Sequence, residues 1–226
     1  MGRFRKTVYT YNEDVFLNEN ELSYYLLGVF LTDGCINKRS DCDSYRGSLA
    51  LKDEVWLKDI AYMISSDHPT STDKRTGCFT FQFNNQKILR WLLQNECVPQ
   101  KTLIVKFPQI NNKFVPDLLR GIIDGDGSID VNKASVRIVS ASFIFLDSIS
   151  KFLIKNEINN YIKDIKQIIG NIKGKPIIPK NKLYSLNCYN TNAAKFFKLI
   201  KYDDEFSFSL ERKRERAIKI INKYIK

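Results

Sequence analysis

The sequence predicts an α+β protein made of two copies of one unit, and three observations carry that prediction. The string LLRGIIDGDGSI at residues 118–129 is echoed by YLLGVFLTDGCI at residues 25–36. One offset aligns Gly28 with Gly121, Asp33 with Asp126 and Gly34 with Gly127. After each Asp-Gly pair the texture changes in the same way, from an apolar helical stretch to alternating polar and apolar residues and back to helical spacing. The repeated object is therefore a supersecondary unit, and the chain divides into residues 1–113 and 114–226.

The elements follow in the same order in both copies. In the first, Cys35–Leu51 reads as a strand pair and Val55–Ile64 as a helix. Thr72–Phe83 reads as a hairpin, with Cys78, Thr80 and Gln82 on one face and Phe79, Phe81 and Phe83 on the other. A short helix at Ile88–Leu93 follows. The second copy offers strands over Ile129–Val139, a helix at Phe143–Ile154, a long hairpin over Ile162–Cys188 and a helix at Ala193–Ile200. Its hairpin connection, Gly170–Asn181, contains Gly174, Pro176 and Pro179 and is longer than its counterpart. A last helix spans Leu210–Ile225, with Arg212, Lys213, Arg214 and Arg216 near its start, where basic groups oppose the helix dipole and suit a phosphate partner. Asn111–Lys113 forms a short join between the halves.

With 43% hydrophobic residues, including 15 Phe and 11 Tyr, the 226-residue chain can bury a sizeable core. The apolar run Tyr24–Leu31 is far below the roughly 20 residues that span a bilayer, and no signal peptide precedes it. The expectation is an intracellular protein with no membrane partner. Five cysteines, odd in number and without close pairs, read as reduced thiols; Cys35, Cys42 and His68 lack metal-site spacing. The net charge of +11 favours a polyanion such as nucleic acid. It is uneven: 15 basic against 13 acidic side chains in residues 1–113, and 21 against 12 in residues 114–226.

Residues four apart share one face of a helix, so Gly28 stacks on Thr32 and Gly121 on Gly125. Small residues at this spacing let two helix backbones approach closely, which would bring Asp33 and Asp126 out together at one end. Two adjacent carboxylates repel unless a cation lies between them, and oxygen ligands suit Mg²⁺. A metal held there can activate water and stabilise the leaving oxygen of a phosphodiester. The run Asp124, Asp126, Ser128 imitates the start of a calcium loop, but Ile129 and Ser135 stand where that loop needs Gly and Glu.

LLGVFLTDG at 26–34 and LRGIIDGDG at 119–127 resemble the nine-residue motif of the LAGLIDADG homing endonuclease family. Two motifs in one chain are similar to its single-chain class. The resemblance implies two pseudosymmetric α-β-β-α-β-β-α repeats, with the motif helices packed at the centre and antiparallel sheets forming a saddle. It implies that Asp33 and Asp126 hold Mg²⁺ (with Mn²⁺ or Ca²⁺ able to substitute for binding), helped by the backbone carbonyls of Thr32 and Gly125. Basic residues near the scissile phosphates are implied to be Lys101 and Lys213, with Arg212 as the competitor for the second position. The first copy departs from the motif at Leu31, where the second has Asp124, and at Thr32, where Gly or Ala is usual.

The implied DNA-reading side chains are Asn37, Lys38, Arg39, Arg46, Ser48, Lys74, Arg75, Thr80 and Gln82 in the first half. In the second they are Asp130, Asn132, Lys133, Arg137, Lys180, Lys182, Ser185 and Asn187. The expected activity is that of a monomeric, site-specific endonuclease that cuts double-stranded DNA at a long non-palindromic target and leaves short 3′ overhangs. The alternative is a maturase that binds intron RNA, or a DNA-binding protein of the same fold that does not cut. Met1 and the terminal Asn222–Lys226 lack splice-junction residues, so a nuclease borne within an intein is not expected.

Overall fold

The computed structural model describes residues 8–40, 43–165, 171–172, 175–176 and 181–225. A short helix α1 (Asp14–Leu17), absent from the sequence expectation, precedes the first motif helix α2 (Glu21–Thr32). The start of α2 is fixed by a reciprocal cap: Asn20 Oδ1 accepts from the Ser23 amide at 2.9 Å, and the Asn20 amide donates to Ser23 Oγ at 3.1 Å. From Ser23 to Leu31 every residue of α2 is buried, as an all-round apolar helix requires. Its counterpart α5 (Val115–Asp126) opens with Pro116 in its first turn, where the missing amide costs nothing.

These two helices cross at their glycines. A Cβ on Gly28 would lie 2.9 Å from Gly121 Cα and 2.8 Å from the Ile122 nitrogen, while one on Gly121 would collide with the Tyr25 carbonyl. Further along, a Cβ on Gly125 would meet the Thr32 side chain. Gly28, Thr32, Gly121 and Gly125 all lie along this crossing.

After α2 come β1 (Gly34–Lys38), β2 (Tyr45–Leu51), α3 (Glu54–Ile64), β3 (Ser71–Asp73), β4 (Cys78–Phe83) and α4 (Gln86–Gln94). After α5 come β5 (Ser128–Asp130), β6 (Ser135–Ser140), α6 (Phe143–Lys155), β7 (Tyr161–Ile165), β8 (Asn171–Ile172), β9 (Lys175–Pro176), β10 (Leu183–Tyr189), α7 (Asn190–Leu199) and α8 (Glu211–Tyr224). The two main sheets are antiparallel and match in order, β1-β2-β4-β3 and β5-β6-β10-β7. The long second hairpin carries the small β8-β9 ribbon as an insertion. Strand alternation decides the faces: Ile36, Leu49, Phe81 and Phe83 point to the helices in one sheet, and Val136, Ile138, Leu186 and Cys188 in the other. Both sheets and both motif helices contribute to one continuous cluster of buried side chains.

Two acids of α5 are buried, one tying the second half to itself and the other tying the halves together. Asp117 pairs with Arg120 at 2.8 Å, and Arg120 donates to the carbonyls of Ile200 and Phe208 at 3.2 and 3.0 Å. Asp124 is 1% exposed and accepts from Tyr25 of the first motif helix, from Tyr202 and from the Leu210 amide. Tyr25 in turn accepts from Trp56 Nε1 at 3.0 Å. Burial pushes the Asp124 carboxyl up, and these three donors oppose that shift. Truncation by Asp124→Ala orphans two phenols and an amide, and is expected to lower unfolding free energy by about 3 kcal/mol in urea titrations. An unchanged denaturation midpoint would show that the network contributes nothing.

Candidate active site at the motif-helix ends

Each motif helix ends by folding the following strand back against its own last turn. Gly34 and Gly127 are needed for that closeness: a Cβ on Gly34 would lie 2.6 Å from Phe30 Cδ1, and one on Gly127 would lie 2.6 Å from the Ile123 carbonyl oxygen. Gly127 has ordinary extended angles, so close approach explains it. The fold-back leaves Asp33, the last-turn cap of α2, beside Asp126, the last residue of α5. A Cβ on the intervening Gly125 would come within 2.5 Å of Asp33 Oδ2.

Both carboxyls feel this confinement. Burial, reinforced by the neighbouring Asp126 charge, pushes Asp33 up to about 6; Thr32, Lys213 and Lys101 oppose it. Burial also raises Asp126, with Lys213 and Lys101 again opposing. Thr32 Oγ1 lies 3.2 Å from Asp33 Oδ2 and 2.9 Å from the Val29 carbonyl. In the second half Gly125 stands at this position, so one acid has a hydroxyl beside it and the other does not.

The two basic residues flank the acids. Lys101, in a 3-10 turn at Lys101–Leu103, donates to the Gly34 carbonyl. Lys213, in the first turn of α8, is 5% exposed and donates to the carbonyls of Ile123, Asp124 and Gly125 at 2.7, 2.7 and 2.8 Å. It thereby satisfies the free carbonyls at the end of α5 and balances the negative pole of that helix. Burial lowers its ammonium to about 8. Geometry also separates Lys213 from Arg212: the Arg212 guanidinium grips Asp53 at 3.0 and 2.9 Å, on the outside of the same helix turn.

The donor set suits a hard divalent cation. Asp33 and Asp126 supply two carboxylates, and the Gly125 carbonyl keeps a second lone pair beyond its bond to Lys213. Among the described residues no group of three or more His, Cys, Asp or Glu gathers to hold a metal, so a cation here would rest on two carboxylates and backbone carbonyls. A cleft of about 200 Å³ opens here, lined by Thr32, Lys101 and Asp126 above an apolar floor that includes Val105, Ile138 and Phe145.

On the sheet face turned from the helices, the register sets Asn37 opposite Arg46, Ser48 opposite Gln82, and Ala50 opposite Thr80. These first-half candidates therefore share one surface. Lys38 has the other parity and pairs with Asp43 at 3.0 Å, while Arg39, Lys74 and Arg75 lie in turns at the strand ends. In the second sheet Asp130 and Arg137 occupy the equivalent face, with Asn132 and Lys133 in the adjoining turn. Three second-half expectations are corrected. Ser185 and Asn187 lie on that face but are buried, with Asn187 Nδ2 donating to Ser185 Oγ at 3.0 Å. Lys182 pairs with Asp164 at 2.6 Å and lies by Tyr184, whose ring meets Phe143 of α6 on the helix side. Lys180 lies outside the described residues. Tyr161, Lys163 and Tyr189, none of them anticipated, share the open face by register with Asn187 and Ser185.

Cys97 and Cys188 are buried thiols, each pushed up to about 12 by burial, and Cys97 donates to the Phe30 carbonyl. His68 lies against Tyr9. No described helix is long and apolar enough to cross a membrane.

The family model of the LAGLIDADG-like domain matches residues 114–201. Over 215 residues, 92% of this chain, the sequence is 26% identical to a probable translation initiation factor IF-2 of Methanocaldococcus jannaschii. It spans 17% of that protein's length. The fold is shared with the homing endonuclease I-DmoI. A variant of I-DmoI with its target DNA and Mg gives a TM-score of 0.56 at 18% identity, covering 84% of this chain and 98% of that one. I-DmoI with DNA and Mn gives 0.55 at 17% identity, covering 80% and 96%.

Proposed function

Residues 114–201 of this chain belong to the LAGLIDADG-like domain family, and from that premise we propose that the protein is a metal-dependent endonuclease acting on double-stranded DNA. The observation that carries the reading is the meeting of Asp33 and Asp126 at the ends of two glycine-packed helices, between Lys101 and Lys213. A divalent ion held by the two acids would supply Lewis-acid stabilisation of the phosphate and a lowered pKa for bound water. The chain's own part is to position. Thr32 orients Asp33, Lys213 fixes the end of α5, and Lys101 presents an ammonium where phosphate charge develops. Arg46, Gln82, Thr80 and Arg137 are proposed to face base edges and backbone in the major groove.

The proposal extends to a non-palindromic target, because the two halves differ at Thr32 and Gly125, at Leu31 and Asp124, and in net charge. It also extends to cleavage of each strand with short 3′ overhangs by a monomer. Incubation with a randomised duplex library in Mg²⁺ or Mn²⁺, followed by sequencing of the cut ends, tests activity, target and overhang together. Enrichment of one asymmetric sequence is expected; a library left uncut in both metals rejects the reading.

Metal affinity is expected to follow the titration of Asp33. Its carboxyl ionises near 6, so Mn²⁺ affinity rises about tenfold per pH unit below that value and levels off above it. The metal-free protein shows the opposite trend in stability. The folded value exceeds the ordinary 3.8, so this group's contribution is fully present below about pH 4 and is lost as pH rises through 6. Asp33→Asn should therefore gain thermal stability over the parent between pH 4 and 6. Calorimetric titration and thermal melts in this range check both statements, and equal pH profiles for variant and parent would refute them.

A further inference from the structure

Beyond the motif helices, a cleft opens on the strand face at the outer corner of the first sheet. The edge strand β3 pairs only as far as Ser71 with Thr80, so Gln82 and the following Asn84 lie past the end of that ladder. A cleft of about 600 Å³ occupies this corner, walled by Tyr9, Tyr11 and His68 and reaching Arg46, Gln82 and Asn84. The wall is braced from behind. Tyr9 and His68 have ring centroids 3.9 Å apart, and Phe81 from the core meets the imidazole edge-on at 5.2 Å. Arg46 and Gln82 belong to the same outward face as Asn37 and Ser48, so the cleft continues the surface proposed to face DNA.

The pseudosymmetric corner of the second sheet also carries aromatic rings, built from different residues. Sequence alignment of the two hairpins sets Tyr189 where Asn84 stands, and Tyr161 faces Asn187 across the strand pair as the next position of that corner. Tyr161 and Tyr189 are 46% and 36% exposed, with rings 5.9 Å apart and nearly parallel. Two corners that differ in sequence but agree in chemistry argue for a shared ligand surface.

We propose that the Tyr9–His68 cleft seats the sugar–phosphate backbone of the target's flank, beyond the bases facing β2 and β4. In a duplex the bases are stacked and paired, so what reaches a lateral cleft is deoxyribose and phosphate. The Tyr9 and His68 rings pack on the sugar, and Arg46 neutralises the phosphate. This inference rests on the DNA-cutting reading and deepens it, because it assigns contacts that fix the position of the duplex outside the bases read directly.

Hydroxyl-radical footprinting tests it, since that reagent attacks exposed deoxyribose. The probe is a duplex recovered from the library selection, bound in Ca²⁺. The parent protein is expected to protect the centre of the target and also a flank on the side of the first half. In the double variant Tyr9→Ala/His68→Ala, flank protection should fall at least threefold while central protection persists. Tyr161→Ala/Tyr189→Ala should leave that flank protected. Arg46→Ala, a change at an exposed side chain that does not endanger folding, should lower the salt slope of binding by about one. A double variant with the parent's footprint, or a parent that protects the centre without this flank, overturns the cleft assignment alone. A parent protein that protects no duplex overturns the DNA reading as well.

Discussion

Asp126→Asn is expected to abolish cleavage while leaving DNA binding within a few-fold of the parent, and Asp33→Asn is expected to do the same. The amide keeps the size of the carboxyl and can still bond neighbours, but it removes one of only two anionic ligands at the helix ends. Weakening metal-borne charge stabilisation by about 4 kcal/mol lowers the rate about a thousandfold. Removing a confined negative charge also relieves repulsion, since Asp126 helps to hold Asp33 high. The variants should therefore be as stable as the parent, or more so. Single-turnover cleavage of the selected duplex, measured beside gel-shift affinity, is the check. Cutting by Asp126→Asn at the parent's rate would remove the acids from the reaction, and loss of binding in step with cutting would mean the substitution acts on the fold.

The second large effect is predicted far from any charge. Gly121→Ala adds a single methyl, but its Cβ would strike the Tyr25 carbonyl and approach the Val29 amide at 3.0 Å, both of them backbone atoms within the buried span of α2. No rotamer change relieves such a contact, so the helices must separate along their whole seam. A loss of about 3 kcal/mol or more is expected, at the upper end for overpacking, and is readable as a lowered denaturation midpoint. Gly125→Ala provides the internal comparison, because its added Cβ meets only side chains, chiefly Thr32 and also the Asp33 carboxylate. Thr32→Gly in the same protein should recover much of that loss, whereas the same change should leave Gly121→Ala unrescued. Equal rescue at both positions would contradict the contact pattern.

Much of this architecture was legible because two periodicities alternate in a fixed order twice over. Strand and helix positions, the faces of β4 and the glycine crossing follow from spacing and side-chain size. The small helix α1 was missed because four residues, of which only Phe16 is buried, have too little period to detect. Strand alternation placed Ser185 and Asn187 on the correct side of β10, but period says nothing about what covers a face, and both are buried. Lys182 precedes β10, where alternation does not constrain direction, and Asp164 draws it toward the helices. At the candidate site, the glycine spacing already brings Asp33 and Asp126 to one end of the paired helices. Which of Arg212 and Lys213 points toward α5 was not legible, because neighbouring residues of a helix turn point about 100° apart and only the fold decides which points inward. Asp124 carried a signal that was passed over: an acid in an otherwise apolar helix, matching Leu31 in the first copy, is a buried polar anchor unless it faces water.

Lys213 lies on the last helix of the order described, yet its ammonium closes the carbonyl end of a helix formed ninety or so residues earlier in the chain, at Ile123 to Gly125. A ribosome delivers both acids well before it delivers this cation. The carbonyl end of α5 therefore stays uncapped beside the two acids until α8 is made and docks, so the geometry of this corner depends on a contact that closes late in sequence order.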